Sequence, residues 1–184
     1  MKNSYLESLF KEFNYYKFLG ENTFNQLSDS ELQWAPNQDS NSIAIIVKHL
    51  SGNMLSRWTN VFLEDGEKSW RLRDQEFISE TSNKETILGQ WDTDWTCFFN
   101  TFNRLDFADL DKTIYIRNQG HTVMEALNRQ LAHYAYHIGQ MVFIGKHIKN
   151  TEWKSLSIPK EKSKDYNAIK FSKEKSKTHF TEDL

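Results

Sequence analysis

"TVMEALNRQLAHYAYHIGQMVFIGKH", residues 122–147, is the stretch on which the reading of the fold turns. Val123, Leu127, Tyr134, Ile138 and Met141 recur at helical spacing and make one apolar arc, which predicts an amphipathic helix over about residues 122–147. His133 and His137 lie on one flank of that arc, beside Ala126, Gln130 and Ile144, so they point inward at an angle. Positions four apart on a helix differ by about 40° around the axis and about 6 Å along it, so the two imidazoles can aim at one point.

Three further segments carry the same period. "SYLESLFKEFNYYKFLGENTFNQL" predicts a first helix over about residues 3–27, with Leu6, Leu9, Phe10, Phe13, Tyr16 and Phe24 inward. Ser28 and Glu31 then fit a capping box for a short turn. After the Pro36 linker, a second long helix is expected across "SIAIIVKHLSGNMLSRWTNVFL", residues 42–63. Its cap is Ser40, Asn41 or Ser42, and its stripe runs from Ile43 through Trp58 to Val61. A third, over about residues 83–105, turns Ile87, Trp91, Trp95, Phe98, Phe99 and Phe102 inward. The fold class expected is all-α, a four-helix bundle. The charged stretch 64–83 is long for a connection and would let the second and third helices run parallel. "DKTIYIRNQGH", residues 111–121, reads as a brief extended piece.

The chain has 184 residues, enough for one well-cored domain. The division expected is a bundle over residues 1–158 and a Lys/Ser/Glu-rich, partly mobile tail over 159–184. A net charge of -2 gives no overall reason to bind nucleic acid or an anionic membrane, and neither is expected as a partner. No apolar run approaches the roughly 20 residues that cross a bilayer. The single cysteine, Cys97, cannot form an internal disulfide and reads as a small buried thiol. With an N-terminal stretch unlike a signal peptide, this makes the cytoplasm the expected compartment.

A third imidazole is available on the second helix, where His49, Asn53 and Arg57 form a polar ridge spaced four and four. Three neutral imidazoles on two helices suit a first-row divalent ion with coordination positions left open. Such a site takes zinc, nickel, iron or manganese. Asn53 and Gln140 are candidates to orient imidazoles or bound water, and Arg57 and Arg129 to hold an anionic small molecule. His121, His147 and His179 read as surface groups, and Tyr134 as core.

The segments "NSIAIIVKHLSGNMLSRW", "DGEKSWRLRDQEF", "IRNQGHTVMEALNRQLAHYAYHIGQMVFIGK" and "WKSLSIPK" resemble the DinB/YfiT-like metalloprotein superfamily, in a bacterial branch labelled as a domain of unknown function. The resemblance covers roughly residues 1–160. It implies an up-down-down-up bundle, a metal held by His49, His133 and His137, and a homodimer. Some members are thiol S-transferases or isomerases that use low-molecular-weight thiols. Three functions follow for weighing: a metal-dependent thiol S-transferase; a metal-dependent hydrolase, for which no carboxylate is clearly placed as general base although Glu125 is available in sequence; and a non-catalytic metal-binding or stress-response interaction module.

Overall fold

Ser42 takes extended backbone and its hydroxyl accepts from the Ile45 amide, so the chain enters a helix at the last of its three candidate caps. That helix is α3 in chain order. The computed structural model describes residues 4–183. Among the described residues it has six α-helices and one two-stranded sheet: α1 (Ser4–Asn25), α2 (Asp29–Gln33), α3 (Ile43–Trp58), α4 (Lys84–Phe102), α5 (Val123–Lys149), α6 (Ser163–Phe171), β1 (Thr113–Ile116) and β2 (Gln119–Thr122). The protein is thus mostly helical, as its periodicity requires. The Ser28/Glu31 capping box is present at the start of α2.

The apolar stripes form a single cluster in which Phe13, Ile43, Met54, Trp95, Phe98, Leu127, Tyr134 and Ile138 are fully enclosed. Neighbouring contacts set the relative directions of the helices. Tyr5 bonds Asn128 near the starts of α1 and α5, and Thr23 lies against Gly145 near their ends, so the two run side by side in the same sense. Ser51 meets Asp94 and Trp58 meets Thr101, so α3 and α4 also run in the same sense. Phe10 meets Phe102 while Phe24 meets Trp91, which makes α1 and α4 antiparallel.

Two local expectations need correction. The second helix stops at Trp58, short of residue 63. Asn60 adopts φ 50°, which asparagine tolerates better than most residues, and its carbonyl accepts from the Leu63 and Glu64 amides in a turn. Thr101 donates to the Trp58 carbonyl that the helix end leaves free, and Val61 is buried all the same from its turn. Cys97 is only half-buried, its sulfur 3.6 Å from the Thr59 hydroxyl, because it sits at the edge of the aromatic face of α4.

The extended piece at 111–121 is an antiparallel hairpin with Ile116 opposite Gln119. Arg117 and Asn118 at its tip both have positive φ, 55° and 60°, the geometry of a two-residue turn whose twist matches the strands. The Asp65 carboxylate accepts from both of their amides at 2.8 Å, and Gly66 N donates to the Tyr115 carbonyl. The start of the 64–83 crossover therefore clamps the hairpin and fixes where Arg117 projects.

The chain beyond Pro159 includes α6 and ends against α1: Phe180 packs on Tyr15, and Lys11 pairs with Glu182 at 2.8 Å.

Candidate metal centre

α5 begins where Thr122 and Glu125 cap each other reciprocally, and its buried arc, Val123, Leu127, Tyr134, Ile138 and Met141, sets its rotation about the core. With Tyr134 and Ile138 enclosed, His133 and His137 project from the flank of the helix toward α3. α3 is held the same way by Leu50 and Met54, which turns His49 to meet them. The three ring centroids lie 4.7–5.3 Å apart, and one nitrogen from each imidazole can be chosen so that all three fall within 4.8 Å of one another. These residues could hold a metal ion. The structure thus brings together the three histidines singled out from the sequence.

His49 Nε2 and His133 Nε2 face each other at 3.2 Å. Two nitrogens bound to one tetrahedral ion at zinc-like distances are roughly 3.3 Å apart, so this spacing fits a shared ligand set. The other nitrogen of His49, Nδ1, lies 2.9 Å from Glu76 Oε2. With the proton on Nδ1 donated to Glu76, the Nε2 lone pair is left for a cation, the usual carboxylate–histidine–metal arrangement. Burial would raise the Glu76 carboxyl, but hydrogen bonds from His49 and Arg71 outweigh it and hold the group below its ordinary range. Arg71 bonds Glu76 through two guanidinium nitrogens, at 2.7 and 2.9 Å.

Burial, followed by the approach of His137 and His49 and of nearby guanidiniums, pushes His133 down to about 3. Burial and the neighbouring His49 push His137 down to about 4. Both are neutral, and so able to ligate, well into the acid range.

The cluster forms one wall of a cavity of about 370 Å³. Five arginines, Arg57, Arg71, Arg73, Arg117 and Arg129, line it, and no carboxylate does among the described residues. Glu67 and Glu76 stand just behind: Glu67 pairs with Arg71 at 3.3 Å and Arg117 at 3.2 Å. Burial, then the charges of Arg129 and Arg71, lowers Arg57 to about 10, and its Nε is enclosed without a hydrogen-bond partner among the described residues. Phe77 packs on the His49 ring at 5.0 Å, and the Arg73 guanidinium lies over the Phe77 ring at 5.1 Å.

The remaining candidates divide. Asn53 lines the cavity and accepts from Gln130 Nε2 at 2.8 Å; the same nitrogen is 3.4 Å from His133 Nδ1, so Asn53 reaches an imidazole only through Gln130. Gln140 Oε1 is 3.3 Å from His137 Nδ1 and orients it directly. Arg129 lies at the rim, 3.3 Å from His121 Nε2. Glu125 is corrected: its carboxylate is taken up by the Thr122 amide and hydroxyl at the helix cap, away from the cavity, and cannot be a base there. His147 stacks on Trp34, and His179 sits 3.6 Å from Glu12, so neither joins the cluster.

Glu76, Arg71, Arg73, Phe77, Arg117 and Gln130 had no assigned role in the sequence reading. A signal that could have found the first of them stands in the sequence. Gly52 stands in the middle of α3, where glycine costs about 1 kcal/mol relative to alanine. A Cβ there would collide with the Glu76 carboxylate. The glycine is the opening through which the crossover, in its 3-10 turn Arg73–Phe77, delivers a carboxylate to His49.

In comparisons with known proteins, residues 1–162 match the family described as "Protein of unknown function (DUF1572)". No curated protein and no solved structure matches the chain.

Proposed function

The chain belongs to the DUF1572 family, within the DinB/YfiT-like superfamily, and from that premise we propose that it binds a divalent cation at His49, His133 and His137 and acts as a thiol S-transferase on small molecules. On this reading the four long helices form an up-down-down-up bundle, for which the shared direction of α1 with α5 and of α3 with α4 is the support. Zinc, nickel, iron and manganese all suit the donor set.

The observation that carries the reading is a cationic cavity with three convergent imidazoles in its wall. A bound divalent cation supplies a Lewis acid that lowers the pKa of a coordinated thiol and makes thiolate available near neutral pH. The residues of the chain do the rest. Glu76 holds the His49 tautomer and is itself held by Arg71. Gln140 and Gln130 steady the two imidazoles of α5. Phe77 covers the His49 ring and keeps water from that side. The arginines draw in a low-molecular-weight thiol that carries negative charge.

A carboxylate free to take a proton would assist hydrolysis, and Glu76 and Glu67, which stand behind the cavity, are both committed to arginines. This favours transfer over hydrolysis. Elemental analysis of protein purified without an affinity tag, followed by incubation with a panel of small thiols and a chromogenic electrophile, tests the proposal. Metal at about one ion per chain with thiol-dependent turnover supports it. Metal-dependent hydrolysis without thiol would point to the hydrolase, and bound metal with no turnover to a non-catalytic module.

A further inference from the structure

The arginines of the cavity are not balanced. Arg71 has Glu76 and a share of Glu67, and Arg117 has the other share. Arg57, Arg73 and Arg129 make no ion pair with a carboxylate among the described residues. Arg73 lies over Phe77, Arg129 rests against His121, and the Nε of Arg57 is enclosed with no hydrogen-bond partner among the described residues. Three guanidiniums gathered in one concave site repel one another, and a buried unpartnered guanidinium nitrogen carries a desolvation cost that an anion would remove. A single negative charge would still leave an excess of positive charge. The planar donor fork of each group suits oxyanions, which it can bind through paired hydrogen bonds.

Resting on the proposed function for its setting, we propose that the Arg57–Arg73–Arg129 wall is a subsite for a dianionic oxyanion group, a phosphate monoester or a pair of neighbouring carboxylates, on the small molecule that the cavity receives. The wall binds its dianion without help from the metal, because the unmatched charge belongs to the protein. It therefore selects among thiols or acceptors by their charge, and the histidine cluster acts on whatever that charge has brought in.

The test uses the full chain after chelator treatment, so that no cation takes part. Inorganic phosphate, glycerol phosphate, succinate and acetate are titrated at constant ionic strength and followed by calorimetry and by the thermal midpoint. Phosphate, glycerol phosphate or succinate is expected to bind and raise the midpoint, with acetate at least about tenfold weaker. Arg57→Gln and the rim variant Arg129→Gln should each weaken the dianion by about tenfold or more, as expected for loss of one charge-assisted contact. Preference for glycerol phosphate or succinate tells the ester from the paired carboxylates, and preference for inorganic phosphate names the free ion. Arg129 is exposed, so its variant keeps the test open if Arg57→Gln fails to fold. Binding of acetate as tight as the dianions, absence of binding by every dianion, or unchanged affinity in folded variants would overturn the subsite. Metal content measured on untreated protein is a separate readout: dianion binding without metal sinks the proposed function alone, and metal with thiol turnover but no dianion binding sinks this inference alone.

Discussion

Glu76 Oε2 stands 2.9 Å from His49 Nδ1 although the two residues are 27 positions apart, one in the crossover and the other in α3. The carboxylate decides which nitrogen of His49 carries the proton, and so which one is offered to a cation. Replacing Glu76 by Gln keeps the volume but removes the charge, and an amide can satisfy His49 through either end. Metal affinity is expected to fall by about 10–100-fold, the range usual for loss of such an outer carboxylate. Competition with a chromogenic chelator measures it; affinity within about twofold of the parent would show that Glu76 does not set the tautomer.

Gly52→Ala separates helix propensity from the approach of Glu76. On propensity alone, alanine in the middle of α3 would add about 1 kcal/mol of stability. The new Cβ meets the Glu76 carboxylate, so the crossover must shift and its pairs with Arg71 and His49 must loosen. The variant is expected to be no more stable than the parent in urea unfolding, and to retain metal less well. A gain of about 1 kcal/mol with unchanged retention would mean that the crossover moves freely.

How far the sequence reaches can be seen at these two residues. The helices of the core and the inward flank that carries His133 and His137 follow from apolar periodicity, because a stripe fixes the rotation of its helix and hence the direction of everything beside it; that His49 meets them follows from the family resemblance. Glu76, Arg71 and Arg117 lie in a crossover and a hairpin tip, where position is set by single long-range contacts such as Asp65 to the Arg117 amide. Periodicity carries no information about such contacts. Gly52 was the exception, an unfavourable residue in a regular element, and its cause lay across the chain. The end of α3 was missed for a related reason: Val61 continues the apolar pattern from a turn, so burial outlasts the helix.

Acid removal of the metal is expected at a lower pH than free imidazole would suggest. His133 and His137 are pushed down to about 3 and 4, so protons compete with a cation weakly at pH 6 and strongly only as pH approaches 4. Retention measured by elemental analysis after dialysis across this range should hold through pH 6 and fail near 4. Loss of half the metal between pH 6 and 7 would contradict the depression. The sign for the metal-free fold is the same: the unfolded chain, with imidazoles near 6.5, takes up protons first, so these groups withdraw stability as pH falls from about 6.5 to about 4 for His137 and about 3 for His133.

Asp94 acts in the opposite direction. Burial raises its carboxyl to about 6, against partial compensation by Gln90 and Ser51, which both donate to Oδ1. The folded state then binds the proton more tightly than the unfolded chain does. Above pH 6 the buried charge costs stability, and the cost disappears as pH falls toward 4. Asp94→Asn keeps an acceptor for both donors and removes the charge. It is expected to stabilise the fold by up to about 3 kcal/mol at pH 8, the value of a shift of roughly two units, with no difference at pH 4. Urea midpoints of parent and variant at the two pH values check this, and comparing the pair cancels the histidine contribution.

His137→Ala tests whether the cation belongs to the chemistry or to the framework. The core that encloses Phe13, Trp95, Phe98, Tyr134 and Ile138 is apolar and continuous, and burial of that kind does not require a metal staple in a chain of this length. His137 stands at the edge of the core, so its truncation removes a ligand without opening the interior. Helical content by far-UV circular dichroism should therefore match the parent at room temperature, while metal retention drops to background. The thermal midpoint of the metal-loaded parent should exceed that of the variant, since an ion that binds only the folded state adds stability in proportion to the logarithm of its concentration over its dissociation constant. In excess chelator most of that gap should close. Cooperative loss of the helical signal at room temperature, in the variant or in stripped parent, would instead make the ion a structural element and remove the reason for treating the histidine cluster as an open, reactive site.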